Sequence, residues 1–305
     1  MRKSQPMLSI IIINYKDEEN TNHFVRNELC KIKTPHIVVI VNNSSSEESN
    51  IKLTNGLDAE IITRIDNLVN RNKYLYVISQ PENLGFAKAN NLGVIFSDRH
   101  FDINHVLFSN SDIHILQEEV VEELIKKIDS QTEISLIGPK VLGLDGKNQS
   151  PEPYISFWLK HILLKIFSPV IPKKIKTRVF KLDYSELANE GFHYKIMGSF
   201  FIVKLKDFIE CGMMDTNTFL YAEELILSER LKKINRYCYY YPRVTVLHEH
   251  SQTISRILPQ YKSDLLQFKS ECYFYRTYKN LSYLTLVLGW IAYYFNEILK
   301  RTISK

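Results

Sequence analysis

The sequence predicts an α/β fold: a mostly parallel sheet flanked by helices, followed by a helical segment at the C-terminal end. Two observations predict it. Between Leu8 and Asp129, short apolar runs alternate with helix-like stretches, the pattern of repeated strand–helix units. The apolar runs are near-continuous rather than alternating, as in Leu8–Asn14, which suits strands covered on both faces.

Leu8–Asn14 is the first strand, and Glu18–Ile32 has the spacing of a helix. His36–Val41 is the second strand and Tyr74–Ser79 the third. Phe86–Ser97 reads as a helix with small residues in its first turn, His105–Ser109 as the fourth strand, and Glu118–Asp129 as an amphipathic helix. Pro151–Tyr184 breaks the pattern, mixing Tyr154, Phe157, Trp158 and Phe167 with Lys160, Lys165, Lys173, Lys174, Lys176 and Arg178. Ile196–Val203 then resumes as strand, Phe219–Asn235 is mostly helix, Tyr237–Leu247 is strand, and the chain from about Pro259 is helical. In a parallel sheet, ligands collect beyond the carboxyl ends of the strands. Those ends are Asn14–Asp17, Asn42–Glu47, Ser79–Phe86 and Ser109–Asp112, all polar or glycine-bearing.

The chain has 305 residues, 45% hydrophobic and 24% charged, enough for a sizeable core. A net charge of +5 fits an anionic small substrate or a membrane surface and is too weak to claim nucleic acid. Cys30, Cys211, Cys238 and Cys272 are widely spaced, without a CxxC, and are expected as reduced core thiols of a cytosolic protein. Met1–Pro6 is polar and Leu8–Ile13 too short for a signal peptide core. The longest apolar run, Leu284–Phe295, is shorter than the roughly 18 residues of a span. It is expected as a buried or interfacial helix.

Four constellations carry chemical potential. Asn110-Ser111-Asp112 places a carboxylate at a strand end, where it can hold a divalent cation on a diphosphate or simply cap a turn. Asn83-Leu84-Gly85-Phe86 through Asn90-Asn91 opens a helix with small residues, suited to close approach of an anion or to tight packing. It is neither a GxGxxG nor a P-loop. Glu223-Glu224 starts a helix after an aromatic stretch, as a proton acceptor with a neighbour or as first-turn acids favoured by the helix dipole. His248-Glu249-His250 ends a strand, with His248 a metal-ligand candidate or an ordinary core histidine.

In their order, these segments resemble the family-2 glycosyltransferases of the GT-A fold, especially the bacterial rhamnosyltransferase-like branch. The resemblance runs from about Leu8 to Ser255 and rests on seven stretches: Ile11–Tyr15, Val41–Ser45, Asn83–Asn91, Leu107–Asp112, Gly198–Phe201, Gly212–Glu224 and Pro242–His248. It implies a GT-A domain over 1–255, with an acceptor-side insert at about 151–185, and a C-terminal helical, membrane-associating segment over 256–305. It further implies an inverting transfer from a UDP- or dTDP-linked sugar to an acceptor hydroxyl, in assembly of a bacterial surface polysaccharide such as capsule or O-antigen. Asn14, Tyr15 and Asn42 would line the base and ribose pocket. Gly85, Phe86 and Asn90 would sit near the nucleotide-sugar. Asp112 and His248 would hold Mg²⁺ or Mn²⁺ with Asn110 nearby, and Glu224 would be the base, with Glu223 its neighbour or understudy. The acceptor would be a glycan or lipid-linked oligosaccharide. The aromatic-plus-lysine composition of Tyr154–Arg178, shared in character by the C-terminal helices, suits either a membrane interface or a core helix with snorkelling lysines, so the protein is expected in the cytoplasm, free or peripheral on the inner membrane face.

Three departures mark this chain. Asn42 and Asn110 stand where relatives carry acids, and Ile226 where many have a further acid. They keep a second expectation open, a nucleotide-sugar-binding module that has lost activity. Asp112, Glu223, Glu224 and His248 together argue against it.

Overall fold

The computed structural model describes residues 8–152, 154–163, 189–249 and 259–303, with side chains described as far as 299. The N-terminal half holds β1 (Leu8–Asn14), α1 (Glu18–Asn27), β2 (His36–Asn43), α2 (Glu47–Thr54), β3 (Ala59–Ile62), β4 (Leu75–Gln80), α3 (Phe86–His100) and β5 (His105–Ser109). Its strands lie in the order β3-β4-β2-β1-β5, all parallel. The strand ends therefore open on one side of the sheet, as the alternating pattern requires.

The remainder holds β6 (Ile113–Ile115), α4 (Val120–Asp129), β7 (Ile134–Gly143), β8 (Gly191–His193), β9 (Phe200–Lys204), α5 (Leu205–Glu210), α6 (Glu223–Lys233), β10 (Tyr237–His248), α7 (Gln260–Tyr278) and α8 (Tyr283–Ile303). It extends the sheet as β5-β9-β7-β10-β6. Here β9 runs antiparallel to β5 and β7, and β6 and β8 run antiparallel to β10. Only the first half of the sheet is thus purely parallel.

Four strands escape the sequence reading. β3, β6 and β8 have four, three and three residues, too short for a periodicity signal. β7 carries Gly138-Pro139 at its centre, a pair that reads as a turn. The sheet accommodates this proline with a bulge. β10 pairs with β7 up to Tyr241↔Pro139, then slips and resumes at Thr245↔Lys140, so the ladder is broken where the imino residue has no N–H to donate.

Boundaries shift for local reasons. The expected helix Glu18–Ile32 ends at Asn27 and continues only as a single 3₁₀ turn, Leu29–Lys31. The expected strand from Ile196 begins only at Phe200. The helix expected from Phe219 starts at Glu223, because Tyr221 and Ala222 take left-handed backbone, φ +73° and +68°.

Successive β1 residues face opposite sides. Ile10 and Ile12 join Phe24, Val38, Leu53 and Leu124 in one core, and Ile11 joins Val39, Ala89, Phe96 and Phe208 in the other. A third cluster packs α6, α7 and α8 together through Ile226, Phe268, Phe274, Tyr275 and Tyr293, with Phe157 wedged in. No helix among the described residues is long and apolar enough to cross a membrane. No disulfide joins the cysteines, and Cys30 is exposed rather than in the core. Lys165, Lys173, Lys174, Lys176, Arg178 and His250 lie outside the described residues.

Candidate active site

The first part of the site forms where β5 ends. β6 pairs antiparallel with the last residues of β10, setting Ile113 opposite His248, and Glu249 N–H donates to the Asp112 carbonyl at 3.0 Å. This register brings together two residues remote in sequence. His248 Nε2 stands 3.3 Å from Asp112 Oδ1, and His248 Nδ1 is 2.8 Å from Gln149 Oε1. With Nδ1–H donating to Gln149, the lone pair of Nε2 faces the carboxylate. Neither oxygen of Asp112 accepts a hydrogen bond among the described residues, although both are buried.

The second part lies across the Gly198-Ser199 turn. Asn110 N–H donates to the Ser199 carbonyl at 2.9 Å, and the Glu224 side chain lies directly against Gly198: a Cβ there would sit 2.0 Å from Oε1. Gly198 is therefore a requirement of close approach. Asn110, Ser199, Gly198 and Glu224 form a continuous bridge from the Asp112 strand end to the start of α6.

The two adjacent acids have different surroundings. Glu223 is buried, and both it and Glu224 line a void of about 10 Å³ among Phe86, Leu136, Ile196, Phe201, Met214, Leu227 and Ser228, room for one water at most. Burial, and next the charge of Glu224, push its carboxyl well above the ordinary range. Glu224 is half-buried. Burial raises its pKa as well, opposed by the Lys195 ammonium and by the Gly198 backbone amide. Glu224 keeps some exposed surface, whereas Glu223 keeps almost none.

Backbone strain helps to hold this corner. Two consecutive left-handed residues that are not glycine, each costing about 1 kcal/mol or more, persist only where neighbours over-determine them. Here Ser270 Oγ donates to the Leu220 carbonyl at 2.7 Å, and Tyr221 OH meets Ser263 Oγ. Asp215 accepts from Tyr273 OH at 2.9 Å and Tyr278 OH at 2.5 Å, and pairs with Arg230 at 3.1 Å. Helix α7 thus grips the loop that leads into Glu223-Glu224.

The third part is the loop before α3. Gly85 has φ +78°, and a Cβ on it would lie 2.3 Å from the Phe219 carbonyl oxygen. That oxygen accepts from Phe86 N–H at 2.9 Å, locking the loop to the segment before α6. Asn43 holds the loop from the other side, donating to Asn83 Oδ1 at 2.9 Å and accepting from Leu84 N–H at 2.7 Å. Asn91 makes a two-point latch to the Met214 backbone, at 2.8 and 3.1 Å. Asn90 is buried with its side-chain nitrogen lacking an acceptor among the described residues.

At the end of β1, Asn14 donates to Asn42 Oδ1 at 2.9 Å, and Asn42 donates to Ser49 Oγ and Asn50 Oδ1 at 2.9 and 2.8 Å. Both are fully buried. Half-buried Tyr15 is the member of the expected trio with exposed surface.

Among the described residues, both Asp112 oxygens, Asn90 Nδ2 and Ser199 Oγ are buried without a hydrogen-bond partner, as are atoms elsewhere in the molecule such as Asn22 Oδ1 and Ser135 Oγ.

Comparison with known proteins agrees with this geometry. No protein-family profile matches the chain. It is 26% identical over 295 residues to the low-salt glycan biosynthesis hexosyltransferase Agl10 of Haloferax volcanii, covering 93% of this chain and 83% of that protein. In sequence the chain is thus similar to a glycosyltransferase of glycan assembly. The rhamnosyltransferase WbbL of Escherichia coli K12 is 24% identical over 171 residues, covering 54% of this transferase and 60% of its relative. The transferase has the GT-A fold. It superposes on GalNAc-T7, solved with UDP, GalNAc and Mn²⁺, at a TM-score of 0.54 and 12% identity over 82% of its length. It spans only 45% of that longer chain. The mannosyltransferase PcManGT of Pyrobaculum calidifontis, solved with GDP-Man and Mn²⁺, superposes at 0.52 with 11% identity over 95% of the transferase and 74% of its own chain.

The structure brings Asp112, His248, Asn110 and Glu224 to one end of the sheet, with Gly85, Phe86 and Asn90 beside them. It separates Glu223 from them by burial. Lys195, Gln149 and Asn43 are site residues that sequence reasoning passes over. A lone lysine or glutamine in an irregular stretch carries no signal until its partners are known. Asn43 alone stood in a visible motif, Val41–Ser45.

Proposed function

We propose that this protein is an inverting glycosyltransferase. It moves a hexosyl-type sugar from a nucleoside diphosphate onto an acceptor hydroxyl during assembly of a surface glycan. The observation that carries the reading is the Asp112–His248 pair, linked to Glu224 through Asn110, Ser199 and Gly198. The transferases solved with Mn²⁺, and the relatives named for glycan biosynthesis and rhamnosyl transfer, support it.

The residues fit a divalent cation. A carboxylate with both oxygens buried and unsatisfied, beside an imidazole oriented through its other nitrogen, is a hard-oxygen and nitrogen donor set that Mg²⁺ or Mn²⁺ accepts. Among the described residues no third His, Cys, Asp or Glu joins them, which leaves coordination positions for diphosphate oxygens. When bound, the cation neutralises charge on the leaving diphosphate. Asn90 Nδ2 supplies a buried donor, and Tyr15, backed by Asn14 and Asn42, a flat surface for a base. Which nucleotide is bound, UDP or dTDP, belongs to this proposal.

Glu224 accepts the proton of the acceptor hydroxyl. The hydroxyl oxygen forms a bond to the anomeric carbon as the bond from that carbon to the diphosphate oxygen breaks on the opposite face. One displacement inverts the centre and releases the nucleoside diphosphate. Glu223 holds a proton in the core and takes no part in the transfer.

Isothermal titration with UDP, dTDP and GDP, each with and without Mn²⁺, tests the donor site. One nucleotide should bind in a metal-dependent manner and be lost in Asp112→Ala and His248→Ala. Binding that is indifferent to both substitutions would sink the assignment. Glu224→Gln should retain that binding while turnover falls by about 10²–10⁴.

A further inference from the structure

Lys195 stands behind the proposed base. Its side chain is only 12% exposed, yet it carries an ammonium, and Nζ lies 2.6 Å from Glu152 Oε2. The two residues are also joined through their backbones by an isolated antiparallel bridge. A buried lysine is retained only when its charge is matched. Glu152 is 40% exposed and matches it from the solvent side. The inner match is Glu224, which lies against Gly198, three residues along the same segment. Burial pulls the lysine pKa down, but Glu152 and Glu224, with Glu271 further off, outweigh it and hold it above the usual value.

The charged groups facing Glu224 are few. Glu223 adjoins it on α6, Lys195 faces it from the segment before β9, and Glu152 lies beyond Lys195. Two of the three are acids, and burial adds to their effect. A carboxyl so placed would stay protonated and could not accept a proton from a sugar hydroxyl. Among the described residues, Lys195 is the cation that counters them.

We propose that Lys195 is a positioning residue for the base: bridged to Glu152, it keeps Glu224 ionised and held against Gly198, facing the acceptor side of the site. Glu152 sets the strength of that effect by sharing the ammonium. The proposal rests on the reading of Glu224 as the base.

The test needs no donor or acceptor. Glutamate side-chain carboxyls labelled with ¹³C are titrated by NMR in the full chain, and the Glu224 resonance is assigned by its disappearance in Glu224→Gln. In Lys195→Met the ionisation midpoint of Glu224 should rise by about one pH unit or more. In Lys195→Arg it should return towards the wild-type value. In Glu152→Gln it should fall, because the ammonium is no longer shared. The opposite signs of the Lys195 and Glu152 variants separate this arrangement from simple loss of packing. If Lys195→Met does not fold, Glu152→Gln and Lys195→Arg decide the matter. A Glu224 midpoint that stays put, or moves the same way in the lysine and Glu152 variants, would overturn the proposal. Full turnover by Glu224→Gln would instead overturn the assignment of the base, whatever the titration shows.

Discussion

Glu223 and Glu224 are neighbours in sequence and opposites in environment. Both are acids in the first turn of a helix, and only packing tells them apart: Glu223 is almost wholly buried, while Glu224 keeps some exposed surface and lies against the Gly198 backbone. A carboxyl whose folded pKa is raised is bound to its proton more tightly in the folded state. Stability therefore falls as pH rises above the unfolded value of 4.5. Glu223→Gln keeps the shape and removes the titration. It should raise the thermal midpoint at neutral pH and flatten the pH dependence of stability above about pH 5, measured by calorimetry across that range. Gly85 has the reverse sensitivity. An added Cβ meets the Phe219 carbonyl oxygen on a left-handed backbone. Gly85→Ala should lower unfolding free energy by about 2 kcal/mol or more in a urea titration.

Asp215 joins helices α6 and α7, and Glu271 ties α7 to Lys160 and His161. Burial works to raise the pKa of Asp215, but hydrogen bonds from Tyr278, Asn217 and Tyr273 outweigh it and bring it to about 2. Glu271, buried against His161 and Lys160, is likewise held at about 2. For carboxyls with depressed folded pKa, the stabilisation is present above their unfolded values of 3.8 and 4.5 and is lost as pH falls towards 2. Each is worth about 2–3 kcal/mol on that basis. Asp215→Asn should destabilise the protein at about pH 6, with the gap from wild type closing as the pH is lowered towards 3. Urea midpoints at the two pH values check this. Because α7 also grips Leu220 and Tyr221, partial loss of this joint should depress turnover before the sheet unfolds.

The C-terminal helices give the molecule two unlike surfaces on α8. Ala292 and Tyr293 pack inward on Phe268, and Gly289 is overlain by Phe157. Outward, Leu284, Ile291, Tyr294 and Ile298 are 70%, 60%, 57% and 63% exposed along one stripe. A stripe of this kind is more apolar than a solvated helix face needs to be. In keeping with a lipid-linked acceptor, it should carry the protein to vesicles containing anionic lipid. Liposome flotation of the full chain and of a chain lacking α8 tests the idea; an equal, negligible floating fraction in both would refute it.

The sequence by itself determined the parallel half of the sheet and the order of the polar motifs at its strand ends. Near-continuous apolar runs and the residue chemistry of strand ends are local, and their spacing survives in one dimension. It could not show β7, whose Gly-Pro pair is tolerated only because β10 bulges opposite it. Nor could it show that β6 sets Asp112 beside His248, that Gly198 makes room for Glu224, or that Lys195 pairs with Glu152. Tertiary structure decided these, because each depends on segments far apart in the chain meeting at contact distance. There burial changes the energy of a charge, and one missing Cβ decides whether two groups can touch.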